Sequence, residues 1–303
     1  MQYRTLPHGG EKLSVIGVGA GSLHNSDPKG IERVAEKAID AGVNVFDFIP
    51  SKAMVLEPLG RALSRHRERV HVQVHIGACY GSGSYGWTTD AKQAIGEFEQ
   101  RLKTLGTDYA DFGFIHCIDA DADLDRVMNG GIWDYALSRK QDGTIRHLAF
   151  STHSAHIARR LIATGEMDLA MFSINPMYDY TDESSYGKGG AQDRAMLYRE
   201  FERAGIGVTV MKAFAGGQLL DAAQSPFGRA LSRTQCIQYA LDKPGVVSVL
   251  PGVRSESDLD DVLGYLDEAP EARDYSVLGA MNTAVENPNT KSDFEILVDM
   301  GKR

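Results

Sequence analysis

The residues able to move protons in this chain stand at the downstream ends of short apolar runs. The run 43–46 ends in Asp47, with Lys52 in the loop behind it, and the run 70–76 carries His75 near its end. The run 109–115 is followed by His116, and the run 145–150 by Ser151, Thr152 and His153. Further on, 169–172 leads to Asn175, 206–210 leads through Met211 to Lys212, and 246–250 leads to Gly252, Arg254 and Ser255. A carboxylate, an ammonium and two imidazoles in one place suit general acid–base chemistry. Imidazole titrates near ~6.5, and a lysine of reference pKa ~10.4 becomes a useful acid when burial or nearby cations lower it. Taken singly, Ser151 or Asp47 is as well explained by capping a helix or bracing a loop. As a set, Asp47, Lys52, His75 and His116 form the candidate reacting cluster.

Something must bring these run ends together. The sequence alternates apolar runs with amphipathic segments bounded by caps and glycine stops. Two short arms, 2–6 and 12–16, flank a His8-Gly9-Gly10 turn and predict a hairpin. Helices are predicted over 29–41, 54–65, 90–105, 124–140, 155–164, 193–204, 229–242 and 256–266. Eight strand–helix units in strict alternation predict a (β/α)₈ TIM barrel with the hairpin as its floor, and an open doubly wound sheet is the alternative. The active site of such a barrel lies at the C-terminal ends of its strands, where the residues above converge. The barrel is expected to occupy residues 1–268. The polar, turn-rich tail 269–303 is expected to pack on or near it.

Composition narrows the function. With 32 Lys+Arg against 41 Asp+Glu, the net charge of −9 excludes a non-specific nucleic-acid binder. No apolar stretch approaches the ~18–20 residues of a membrane span, and the N-terminus has no signal-peptide pattern. Three cysteines without a C-x-x-C pair argue against a disulfide framework and for a reducing cytoplasm.

Several segments resemble the aldo/keto reductase superfamily: GVNVFD at 42–47, LGRAL at 59–63, LGTDYAD at 105–111, FIH at 114–116, KQDGTIR at 140–146 and GIGV at 205–208. The segments VHIG at 74–77, STHS at 151–154, FSINP at 172–176 and VMK at 210–212 are similar to a bacterial branch whose members often carry a ferredoxin-like tail. The tail here contains no cysteine, so no iron–sulfur cluster is expected. The resemblance implies NAD(P)H-dependent reduction of a small-molecule carbonyl, or oxidation of an alcohol, by an Asp, Tyr, Lys and His set. Asp47 and His116 match two of these. Lys52 stands in the Tyr position and His75 in the Lys position. That departure leaves three readings: a reductase with Lys52, a histidine or a loop tyrosine (Tyr80, Tyr85 or Tyr178) as proton donor; a cofactor-free isomerase, epimerase or lyase; or a non-catalytic binding barrel.

For the cofactor, the resemblance implies Ser151, Thr152 and Asn175 at the nicotinamide amide, Met211 against its ring and Lys212 near the diphosphate. Gly252, Arg254 and Ser255 would form a phosphate site at a helix N-terminus. Asp258 and Val262 occupy places where the family usually has basic and Asn contacts. A carboxylate there repels a 2′-phosphate, so the sequence leans to NAD over NADP. Other motifs are weaker. The run 17–21 (GVGAG) lacks the third glycine of a dinucleotide fingerprint. His153 and His156 have no third metal ligand nearby in sequence, and the acidic run 119–125 lacks the Gly and Glu of a calcium loop, so no metal is expected. The run 81–87 (GSGSYGW) suits either a substrate-covering loop or a plain connector. Cys117 is read as a buried small residue.

Overall fold

The computed structural model describes residues 1–180 and 186–278. Eight parallel strands form one sheet: β1 (Val18–Gly19), β2 (Val45–Asp47), β3 (His71–Ile76), β4 (Ala110–Ile115), β5 (Ile145–Thr152), β6 (Leu169–Ser173), β7 (Gly207–Met211) and β8 (Val246–Val249). Each strand pairs with its chain-order neighbours. Ile16 bridges Val249 and Gly19 bridges Gly252, with Gly17 N donating to Val249 O at 2.8 Å. The first strand therefore closes on the last, giving the (β/α)₈ barrel and not the open sheet. Tyr3–Thr5 and Lys12–Ser14 pair antiparallel as the floor hairpin.

The surrounding helices are α1 (Pro28–Asp40), α2 (Leu56–Ser64), α3 (Ala91–Thr104), α4 (Asp121–Asn129), α5 (Ile132–Asp142), α6 (Ala155–Ile162), α7 (Pro176–Tyr180), α8 (Ala191–Arg203), α9 (Arg233–Leu241) and α10 (Glu256–Leu263). Asp27, Asp90, Ser154, Ser232 and Ser255 accept at the N-termini of α1, α3, α6, α9 and α10. Each such cap is worth ~1 kcal/mol. Two expectations need correction. The single helix over 124–140 is two helices, broken where Gly131 takes φ +97°, a left-handed conformation that few other residues adopt. The helix expected from Arg229 begins at Arg233, because Ser232 and Gln235 form a capping box there. In addition, Gly86–Trp87 pairs antiparallel with Ala78–Cys79, so the 81–87 segment is the tip and return of a hairpin.

Strand alternation divides the barrel into two packing systems. Val72, Val74, Ile76, Phe150 and Phe172 point outward to the helices. Val45, Phe112, Phe114, Ala149, Leu169, Met171 and Val247 form a separate inner cluster, plugged below by Leu6 and Leu13 of the hairpin. Gln73 Nε2 donates across the interior to Thr209 Oγ1 at 3.1 Å, from β3 to β7. Below it, His147 meets Glu11 of the hairpin turn at 2.8 Å. Of the residues after 268 that are described, Leu278 is buried, and Tyr275 lies against Tyr239 with its hydroxyl donating to Asp242 at 2.9 Å. Residues 279–303 lie outside the described residues. No helix among the described residues is long and apolar enough to cross a membrane.

The loop after β6 is pinned by a buried ion pair. Arg194 of α8 donates to Asp179 of α7 at 2.7 Å and to the Ser173 carbonyl; Tyr198 and Tyr239 donate to the same carboxylate at 2.6 and 2.8 Å. Removing one partner of such a pair strands the other charge without water. Asp179→Ala should therefore destabilise the fold by about 3–5 kcal/mol in urea unfolding. A loss below about 1 kcal/mol would show that the arginine finds other partners.

Candidate active site

The inner face of the barrel ends, at the C-terminal rim, in a polar layer. The alternation that places Val45 inside also places Asp47 there; Gln73 predicts His75, Phe112 and Phe114 predict His116, and Ala149 predicts Ser151. These side chains are joined by hydrogen bonds. Asp47 Oδ1 lies 2.9 Å from His75 Nε2, and His75 Nδ1 lies 2.9 Å from His116 Nδ1. His116 Nε2 lies 2.6 Å from the Tyr85 hydroxyl, which also contacts the Cys117 thiol. Ser151 Oγ is 3.3 Å from His116 Nδ1 and accepts from Cys117 N at 2.8 Å.

The surroundings set the charge of this chain. His75 stacks on Phe114 with ring centroids 4.5 Å apart. Buried Arg101 of α3 donates to the His75 and Ala78 carbonyls at 3.0 and 2.7 Å, fixing the end of β3. Burial and the Arg101 charge hold His75 well below the usual imidazole range. Burial, His75 and Arg101 do the same to His116. Burial pushes Asp47 up to about 8 and Cys117 up to about 11. Burial thus favours the uncharged form of each of these groups.

The structure separates Lys52 from the other three expected residues. Its ammonium is exposed and donates to Ser84 Oγ at 2.8 Å, because Lys52 and Ser84 are bridged as antiparallel backbone. The same 81–87 segment carries Tyr85 inward. Of the three loop tyrosines, Tyr80 is bonded to the Pro50 carbonyl at 2.8 Å and Tyr178 is buried in α7; only Tyr85 joins the cluster. Arg101 escaped the sequence reading, although a cation three residues after core Phe98 on one helix face was a signal for it. Asp119 escaped it too: the residue precedes α4 and accepts from Thr152 Oγ1 (3.0 Å), His153 N (2.7 Å) and His153 Nδ1 (2.8 Å), clamping the β5 loop to the β4 loop.

Beyond the cluster, Asn175 is buried, donating to the Lys212 carbonyl at 2.8 Å and accepting from Tyr178 N at 3.0 Å. Met211 is half-buried on top of the inner cluster. Lys212 lines a cavity of about 440 Å³ with Gly19, Phe214, Gly217, Arg233, Gly252, Arg254 and Asp258. A Cβ on Gly19 or Gly252 would press on Pro251 O or Ser22 Oγ at 3.3 and 3.2 Å, so glycine keeps this wall low. Arg254 grips Asp258 with Nε and Nη2 at 2.6 and 3.0 Å, and Ser255 caps α10. Arg233 is a cation the sequence reading did not place here. Among the described residues, the non-glycine positions with positive φ are Cys117, Lys212 and Ala215, all on this rim, where strained backbone commonly accompanies function.

A model of the aldo/keto reductase family matches residues 15–234, well over half of the chain. The L-glyceraldehyde 3-phosphate reductase of Escherichia coli (strain K12) is 21% identical over 231 residues, which cover 72% of this chain and 63% of that protein. Among solved structures, the holo form of an aldo-keto reductase from Bacillus halodurans superposes with a TM-score of 0.73 at 18% identity, covering 95% of this chain and 99% of that one. An aldo/keto reductase from Klebsiella pneumoniae, solved with NADP and acetate, gives a TM-score of 0.64 at 16% identity, covering 96% and 98%. The closed barrel, its floor hairpin and the matched residues agree: the chain belongs to the aldo/keto reductase family.

Proposed function

We propose that the protein reduces a small-molecule carbonyl, or oxidises the corresponding alcohol, with a nicotinamide dinucleotide held in the rim cavity. The observation that carries this reading is the junction of cavity and cluster: Gly19 in the cavity wall is paired in register with Asp47, the inner end of the hydrogen-bonded chain. The cavity lining suits a dinucleotide. Lys212 and Arg233 offer cations to a diphosphate, Gly252 and Ser255 begin the helix that would receive the adenosine end, and Met211 is the apolar platform nearest the cluster. Ser151, Thr152 and Asn175 serve mainly to brace the rim, since their polar atoms already hold backbone, His116 or Asp119. When bound, the nicotinamide supplies the hydride.

The chain's own residues supply the proton. The Tyr85 hydroxyl, held by His116, faces the mouth and protonates the substrate oxygen; His116, His75 and Asp47 stand behind it. Lys52, turned to solvent, has no part. The Arg254–Asp258 pair favours NAD: a 2′-phosphate would have to break the pair and then face its carboxylate, whereas a ribose hydroxyl can donate to Asp258. No iron–sulfur cluster enters the scheme, and three free thiols suit a reducing cytoplasm.

Calorimetric titration should find micromolar NADH binding and weaker NADPH binding, with Asp258→Ser narrowing the gap by about tenfold. Binding of neither dinucleotide to folded protein would remove the reductase reading and leave cofactor-free acid–base chemistry at the same cluster. With simple aldehydes such as benzaldehyde and butanal, Tyr85→Phe should lower kcat by about 10²–10⁴. Lys52→Met should stay within about twofold of wild type. The reverse pattern would return the proton-donor role to Lys52.

A further inference from the structure

We propose that Asp47, His75 and His116 form a proton wire ending on Tyr85, so that the buried Asp47 carboxyl is the store for the proton given to the substrate oxygen. The inference rests on the carbonyl-reduction reading. It deepens that reading by assigning roles to three groups that do not touch substrate.

The contacts allow only two tautomer arrangements of the neutral ring pair. The contact between the two Nδ1 atoms needs one proton, carried by one ring alone. If His75 carries it, His75 Nε2 is an acceptor and Asp47 must be the protonated donor. His116 then has its proton on Nε2 and donates to the Tyr85 oxygen, leaving the Tyr85 proton free to point into the mouth. This is the loaded state. If His116 carries the Nδ1 proton, every bond reverses: His75 Nε2 donates to an ionised Asp47, and Tyr85 donates to His116. This is the discharged state, with one proton fewer. No intermediate arrangement keeps all three bonds with both rings neutral, so the two histidines must change tautomer together.

Discharge is balanced. As hydride reaches the carbonyl carbon, the substrate oxygen gains the electron pair of the broken C=O π bond and takes the Tyr85 proton. Tyr85 is refilled from His116 Nε2, His116 Nδ1 from His75 Nδ1, and His75 Nε2 from the Asp47 carboxyl. The net change is carboxyl plus alkoxide to carboxylate plus alcohol, and a solvent proton later reloads Asp47. Alcohol oxidation runs the same steps backward. Burial of both rings and the nearby Arg101 cation disfavour an imidazolium, which would break the alternation. The titratable and charged groups facing the wire are Tyr80 beside Asp47; Arg101 behind His75; His153 and Asp119 beyond His116; and Cys117, Tyr80 and Cys79 around Tyr85, with Lys188 and Lys212 beyond Cys117. The held-up acidity of Asp47 sets the sign. The wire is loaded below about pH 8 and discharged above it, so reduction falls and oxidation rises as pH passes that value.

The decisive experiment is nitrogen-15 NMR of the imidazoles in wild-type protein between about pH 6 and pH 10. It needs neither substrate nor a variant. Both rings should exchange their protonated nitrogen at one shared midpoint, His75 from Nδ1 to Nε2 and His116 from Nε2 to Nδ1. Asp47→Asn, whose amide can donate to His75 but cannot give up its proton, should hold both rings in the loaded tautomers across the range. In aldehyde reduction the wild-type kcat/KM should fall about tenfold per pH unit above the midpoint; Asp47→Asn should lose that limb together with about 10²-fold in kcat, with NADH affinity unchanged. Rings that keep fixed tautomers, or titrate at separate pH values, overturn the wire while leaving the reductase reading intact. Concerted switching in protein that binds neither NADH nor NADPH would instead uphold the wire and remove the reductase reading.

Discussion

A hydrogen bond between two like atoms, His75 Nδ1 and His116 Nδ1, forms only when one imidazole has a proton there and the other has none. That requirement organises the rim. Two cationic rings would repel at 2.9 Å, and the site favours the neutral form of both. It does so by sinking them into a closed barrel, stacking one on Phe114 and setting the Arg101 charge behind them. Arg101 is itself buried and is held by the carbonyls that end β3. The strand end, the charge and the two rings are therefore one assembly, and the polarity of one bond sets the tautomer of both neutral rings.

In the proposed reading, the family set of Asp, Tyr, Lys and His is rearranged around that bond. A lysine beside a tyrosine favours the tyrosinate by charge. A neutral histidine pair cannot do that, but it can pass a proton. In that reading the phenol comes not from the loop after β2 but from the hairpin after β3, where Tyr85 meets His116. The hairpin turns Lys52 outward through the Lys52–Ser84 bridge and Tyr85 inward through its neighbour. One backbone pairing thus turns one candidate donor to solvent and brings another to the cluster.

Much of this was legible in the sequence. Alternation of strands and helices was enough for the barrel, and period-two patterning carried Asp47, His75, His116 and Ser151 onto the inner rim. The two corrected helix boundaries turned on local chemistry, a left-handed Gly131 and a Ser232 capping box, that periodicity alone does not register. The contact of Tyr85 with His116 was not legible. Three tyrosines lay on candidate loops, and the choice among them depended on the register of a two-residue hairpin and on Tyr80 being held by Pro50 O. Arg101 and Asp119 were hidden because each binds loops distant in sequence, and such closures follow from tertiary packing. Lys52 was misplaced for the converse reason: its position after β2 is conventional, but its backbone pairing is not.

The floor hairpin has a consequence beyond stability. Leu6 and Leu13 stop the lower end of the barrel, and the inner layer of Phe112, Phe114, Leu169 and Met171 separates it from the polar rim. The barrel is therefore a vessel with a single mouth. In the proposed relay, whatever occupies that mouth also corks the route by which Asp47 regains a proton from solvent. Recharging then belongs to the interval after product departs, and each turnover begins with a fixed dose of one proton already inside.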